Sequence, residues 1–167
     1  MSRRVSGLVW VQQLDAWPRE VPRPRIGART KAKREGYKFE AAFASALAAR
    51  FPCAQHGFWL RFRDANGWGL AQPDVVVRGV REAVVFECKL SYTEAAEPQL
   101  TGLYLPLLRY LWQIPVRGVV VCKALTPRCP REIVTGDLAH AIGLAKNGVP
   151  VLHWLGKQGF CRATAQA

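Results

Sequence analysis

The chain has 167 residues and carries 24 Lys and Arg against 12 Asp and Glu, a formal net charge of +12. That length suits one domain with a sizeable core, and the charge favours a polyanionic partner such as nucleic acid over a neutral one. No apolar run approaches the roughly 20 residues of a spanning helix and the N-terminus lacks a signal-peptide core, so the expectation is a cytoplasmic protein with no membrane partner.

The five cysteines, Cys53, Cys88, Cys122, Cys129 and Cys161, are an odd number with no C-x-x-C pair, which argues against a disulfide framework or a zinc site. Residues 1–38 stand apart from the rest. Val9, Trp10 and Val11 read as a short strand or a docking patch, after which Pro18, Pro22 and Pro24 interrupt any regular element. From Arg19 to Lys38 the basic residues Arg19, Arg23, Arg25, Arg29, Lys31, Lys33, Arg34 and Lys38 face only Glu20 and Glu35, so half of the net charge sits here. The expectation is a basic N-terminal arm, open to flexibility, whose Arg23, Arg25, Arg29, Lys31, Lys33, Arg34 and Lys38 neutralise phosphates; a solvated terminus serving solubility is the alternative. Residues 39–167 then form a single domain.

Phe39, Phe43, Leu47 and Phe51 repeat every fourth residue and predict a helix over Tyr37 to Phe51, ended by Pro52. Glu40 borders its apolar stripe. Phe58 to Arg63 alternates apolar and polar residues and breaks at Asp64-Ala65-Asn66-Gly67, which predicts a strand and turn. His56, just before it, has no partner at ligand spacing and reads as structural.

Val75-Val76-Val77 and Ala83-Val84-Val85-Phe86 flank Arg78-Gly79-Val80-Arg81-Glu82, which predicts two strands and a tight turn. A turn centred between Val80 and Arg81 sets Asp74 opposite Glu87, with Cβ atoms roughly 4.5–5.5 Å apart. Lys89 shares that face. Two carboxylates so close raise one another's pKa. Lys89 or a divalent cation can compensate, and a hard cation such as Mg²⁺ suits one or two carboxylates supplemented by waters and phosphate oxygens. A partly buried ion pair is the competing reading, disfavoured because burying three charges for stability alone rarely gains free energy.

Beyond Lys89, Pro98 predicts the first turn of a helix reaching Trp112, with Leu100, Leu103, Leu107 and Leu111 on its apolar face and a kink at Pro106; Thr93 is a candidate cap. Gln99 falls in the first turn. Val116 to Cys122 predicts a buried strand, Pro127 to Pro130 a loop, Arg131 to Lys146 a helix with Asp137 and His140 as a surface pair, and Val149 to Leu155 a last strand. The expected fold class is α/β, a mixed central β-sheet of strands near 58–63, 73–78, 83–89, 116–122 and 149–155 with helices on both faces.

Pro73-Asp74 opening one strand and Glu87-Cys88-Lys89 closing the next resemble the PD-(D/E)XK nuclease superfamily, over about residues 37–125. The resemblance implies a restriction-endonuclease-like αβββαβ core and a metal-dependent DNA endonuclease. In that family's terms, Asp74, Glu87 and the Cys88 backbone carbonyl hold Mg²⁺ or Mn²⁺, and Lys89 orients the nucleophile or stabilises the oxyanion. Glu40 supplies a further acid from the first helix. Several branches pair a Gln at the position of Gln99 with a Tyr four residues on; here Leu103 has that spacing and Tyr104 the next. The implied substrate is DNA, with RNA as a variant, in repair, recombination or phage DNA processing in a bacterial or phage-infected cell, and by analogy the enzyme is a homodimer. The alternative function is a non-catalytic nucleic-acid-binding module on a nuclease fold.

Overall fold

Uninterrupted β-branched and apolar runs make the two strands at the centre of the molecule, because only strands buried on both faces tolerate them. The computed structural model describes residues 3–23, 30–126 and 133–156. Their order is β1 (Trp10–Leu14), α1 (Lys31–Arg50), β2 (Ala54–His56), β3 (Trp59–Asp64), β4 (Gly67–Ala71), β5 (Val75–Arg78), β6 (Ala83–Ser91), α2 (Ala96–Gln99), a π-helical turn (Leu100–Tyr104), α3 (Leu105–Trp112), β7 (Val116–Ala124), β8 (Ile133–Thr135), α4 (Leu138–Leu144) and β9 (Val151–His153). The class is α/β with a mixed sheet. Six strands pair in the order β2-β5-β6-β7-β9-β8, and β1, β3 and β4 form a separate three-stranded sheet.

Pairing along the central sheet is antiparallel from β2 through β5 to β6, then parallel from β6 through β7 and β9 to β8. Alternate residues feed two cores. Val75, Val84, Phe86, Val119 and Leu152 pack under Phe39, Phe43 and Leu47 of α1 and Leu138 and Ala141 of α4. Val76, Val85, Val120 and Val151 pack under Leu100, Leu103, Tyr104, Leu107 and Leu108, joined by Leu60, Phe62 and Val11 of the small sheet.

Several sequence expectations need correction. The strand expected near 58–63 belongs to the small sheet, not to the central one, whose edge is β2. The first helix starts at Lys31 instead of Tyr37, capped by the Thr30 hydroxyl, which accepts from Lys33 N at 3.3 Å. Residues 31–38 of the expected arm are therefore helical. Residues 3–14 are also tied to the body: β1 pairs with β3, Val5 N donates to Gly102 O at 2.8 Å, and Arg3 forms an ion pair with the buried Asp64. Although burial opposes it, the hydrogen bond and charge of Arg3 hold the Asp64 carboxyl below its ordinary value. Arg25, Arg29 and the loop Pro127 to Pro130 lie outside the described residues.

Where a helix is expected over Arg131 to Lys146, the described residues from Ile133 on form a strand followed by a helix. Gly136 takes a φ of +70°, which breaks the chain direction, and Asp137 caps α4 by accepting from His140 N at 2.9 Å. The Asp137 and His140 pair is thus a helix cap. Thr93 contributes its carbonyl, not its hydroxyl, to Ala96 N at 3.1 Å.

Pro106 does not kink a regular helix; it follows the π-helical turn. Lacking an N–H, it cannot donate to the carbonyl of Gly102 four residues back. Val5 N makes that bond in its place. In the small sheet, Gly69 of β4 faces the Phe62 ring so closely that an added Cβ would lie 2.7 Å from Phe62 Cε1 and 2.8 Å from Arg3 Nη1. Gly69→Ala is expected to cost about 1–3 kcal/mol by overpacking, measured by urea or thermal unfolding.

Candidate active site

The site forms where β5 and β6 part. Their pairing runs Val75↔Phe86, Val76↔Val85 and Val77↔Val84, so Asp74, one step before Val75, stands beside the end of the ladder. Beyond it β6 continues against β7 alone, as far as Ser91. This leaves Cys88 N–H free to donate to Asp74 Oδ2, at 2.7 Å. Glu87 and Lys89 alternate with Phe86 and Cys88, so they point to the face covered by α2 and the π-helical turn. The register expected from the sequence is the observed one.

Glu87 is only 1% exposed. Its Oε1 accepts from Lys89 Nζ, while Oε2 is buried with no hydrogen-bond partner among the described residues. A buried carboxylate oxygen left in this state costs free energy unless something positive or protic reaches it. Burial and then the charges of Glu87 and Glu40 push the Asp74 carboxyl up to about 8, against which the Cys88 N–H works. Burial also pushes Glu87 up, with the Lys89 charge and hydrogen bond opposing. For Lys89, burial alone would lower the ammonium's pKa, but the charge and hydrogen bond of Glu87 override it and raise it. Lys89 is thus held as a cation against Glu87, while the surroundings of Asp74 favour a proton there unless further positive charge reaches it.

Lys89 is held from its other side. Its Nζ lies 3.5 Å from Gln99 Oε1; Gln99 Nε2 donates to the Tyr104 hydroxyl at 2.8 Å, which in turn donates to Gln72 O at 2.9 Å. Tyr104 falls five residues after Gln99, one beyond the spacing expected from the resemblance. The π-helical turn between them makes that spacing productive, since i and i+5 meet on one face of a π-helix. Burial, and then the charges of Glu87 and Asp74, raise the Tyr104 phenol well above its ordinary value, so it stays a neutral donor.

Glu40 reaches the same place from α1. It lines, with Lys33, Gly36, Tyr37, Asp74, Cys88 and Lys89, an open cleft of about 220 Å³. Its Oε1 is 2.9 Å from His56 Nε2. His56 is thus a neighbour of the site that the sequence did not reveal: β2 sets it opposite Val75, one residue from Asp74. The Cys88 side chain packs toward the α1 core, and burial followed by the nearby carboxylates pushes its thiol up, which excludes a thiolate nucleophile.

Of the expected phosphate-binding residues, Lys33 lines the cleft. Lys31, Arg34 and Lys38 are exposed on the first turns of the same helix, Lys38 paired with Glu35 at 3.0 Å, and Arg23 is exposed in the preceding loop. Among the described residues no group of three or more His, Cys, Asp and Glu side chains converges to hold a metal. Two carboxylates, a main-chain carbonyl and waters are nonetheless a sufficient donor set for a hard cation. The partnerless Glu87 oxygen and the mutual repulsion of Asp74, Glu87 and Glu40 are the local features such an ion would relieve. No helix among the described residues is long and apolar enough to cross a membrane. Comparison of the chain with protein-family models, with curated proteins and with solved structures found no match to any of them.

Proposed function

We propose that this protein is a metal-dependent deoxyribonuclease, hydrolysing phosphodiester bonds at Asp74, Glu87 and Lys89. The observation that carries this reading is the buried, partnerless Oε2 of Glu87 beside an Asp74 carboxyl whose pKa is pushed to about 8. Together they leave the site short of positive charge despite Lys89. The order α1, β2, β5, β6, the helix from α2 to α3, then β7 supports a restriction-endonuclease-like αβββαβ core, with the β3–β4 hairpin inserted between its first two strands.

Asp74, Glu87 and the Cys88 carbonyl are the groups that would hold Mg²⁺ or Mn²⁺, and such an ion supplies Lewis-acid polarisation of the phosphate and neutralises charge growing on its oxygens. Lys89 holds the attacking water or donates to the developing oxyanion. Gln99 and Tyr104 fix the direction of the Lys89 side chain, through bonds that end on the Gln72 carbonyl. Lys33, with the exposed cations of α1, draws the phosphate backbone toward the cleft. Glu40, held by His56, lines the cleft as a further acid beside Asp74.

The test is incubation of purified protein with plasmid, linear, branched and single-stranded DNA in Mg²⁺, Mn²⁺ or EDTA. Cleavage in either metal and none in EDTA is the expected result. No cleavage of any substrate, with binding that EDTA leaves unchanged, would instead establish a non-catalytic nucleic-acid-binding module.

A further inference from the structure

The outer face of the small sheet carries a set of side chains that neither core uses. Register places Trp10, Arg63 and Trp68 side by side across β1, β3 and β4, and Gln12, Arg61 and Leu70 on the next outward rung. Trp68 is 55% exposed and Trp10 36%. Their rings meet edge to face with centroids 5.4 Å apart, and the guanidinium groups of Arg61 and Arg63 lie 4.8 and 5.8 Å from the Trp68 ring. At the far end of the face Trp59 packs against Trp17 at 4.7 Å.

We infer that this Trp and Arg face binds single-stranded nucleic acid, its bases stacking on Trp10 and Trp68 and its phosphates meeting Arg61 and Arg63. The exposed parts of the Trp10 and Trp68 indoles accept any base, and the guanidinium groups lying over Trp68 extend that stacking surface and add phosphate recognition. The outward positions of β1, β3 and β4 include no acid; Glu20, from the preceding loop, pairs with Arg61 at 2.5 Å, and among the described residues Arg63 makes no ion pair. With Arg61 partly neutralised by Glu20, the remaining positive charge of the face is that of Arg63, which complements a polyanion, and a phosphate would compete with Glu20 for Arg61. Paired bases hide their faces from a platform of this kind, so duplex is a poorer ligand than unpaired strand.

The face is also near the cleft. From Trp68 the chain runs through β4, Gln72 and Pro73 to Asp74, a span of at most about 22 Å. A strand seated on the platform thus lies within a few nucleotides of the proposed hydrolytic site. The inference deepens that reading by naming a single-stranded substrate segment, but the binding does not depend on it.

The experiment measures affinity of the full chain for a labelled 15-nucleotide oligothymidine and for a duplex of equal length, by anisotropy and tryptophan quenching in EDTA. Tighter binding of the single strand with quenched tryptophan fluorescence is expected, and Trp68→Leu should weaken it by about 5- to 100-fold. Trp68→Phe, which keeps a ring, should retain most of the affinity, and Arg63→Gln should reduce the slope of affinity against salt by about one phosphate contact. Thermal melts check that each variant folds.

Equal affinity for strand and duplex, or Trp68→Leu binding as tightly as wild type, would overturn the inference. Trp68→Leu losing affinity for anionic lipid vesicles but not for the oligonucleotide would overturn it in favour of a membrane surface. Because binding is read in EDTA, its failure leaves the hydrolytic reading standing, and a failure to cleave leaves this one standing.

Discussion

Lys89→Met is expected to lower the rate of metal-dependent cleavage by roughly 10²- to 10³-fold or more while leaving affinity for DNA in EDTA within a few-fold of wild type. Lys89 Nζ sits between Glu87 Oε1 and Gln99 Oε1, and its side chain is 28% exposed to the cleft, so it is positioned by the protein and still open to a substrate. Methionine keeps the stem and removes the charge. On the proposed mechanism the variant loses the donor aimed at the developing oxyanion, an interaction felt mainly in the transition state, so kcat is expected to fall more than KM rises. Glu87 loses its cationic partner in the variant and takes up a proton more readily, which limits the damage to the fold. Single-turnover cleavage with a thermal melt as control separates the two effects. A Lys89→Met protein cutting within threefold of wild type would remove Lys89 from the mechanism.

Asp74→Asn should abolish divalent-cation binding, read by calorimetric titration, and should raise the stability of the metal-free protein at pH 8. The sign follows from linkage. The Asp74 carboxyl is raised from 3.8 to about 8, so between those values the folded state binds more protons than the unfolded state and stability falls as pH rises. Asparagine stays neutral throughout and can still accept from Cys88 N. The variant's advantage therefore vanishes towards pH 4 and grows as the pH rises to 8, and it is expected to appear as an increase in Tm of roughly 5–15 °C for a chain of this size. Melts in EDTA from pH 4 to pH 8 check it. A variant melting below wild type at pH 8 would mean that the Asp74 charge is compensated by the protein itself.

The parts of the site legible in the sequence share one property: they depend on local rules. Two β-branched runs around a short turn leave one register that buries both strands, and period 2 then sets Glu87 and Lys89 on one face with Asp74 beside them. The Gln99 to Tyr104 link was not legible, because spacing arguments assume 3.6 residues per turn and the π-helical turn departs from it. A signal existed: Pro106 strands the carbonyl of Gly102, which marks the place where the helix must change its bonding.

Other misses have similar causes. The alternation in Trp59–Asp64 says which residues face inward but not which strand pairs with them, so it does not separate the small sheet from the central one, and the glycines of Gly67–Ala71 conceal the partner of β3. The basic run ahead of Tyr37 drew attention to charge, although Lys, Ala, Arg and Glu are good helix formers and Thr30 is a good cap. His56 meets Glu40 only through the packing of α1 against β2, which no spacing rule foresees.

The proposed cation site of Asp74 and Glu87 beside Lys89 can be seen directly in a crystal structure of the protein soaked in Mn²⁺, read from the anomalous scattering of the metal. An anomalous peak about 2.0–2.6 Å from oxygens of Asp74, Glu87 and the Cys88 carbonyl is the result expected. A featureless map there, with Glu87 still bound to Lys89 and its other oxygen reached by a protein group or a water, would contradict it.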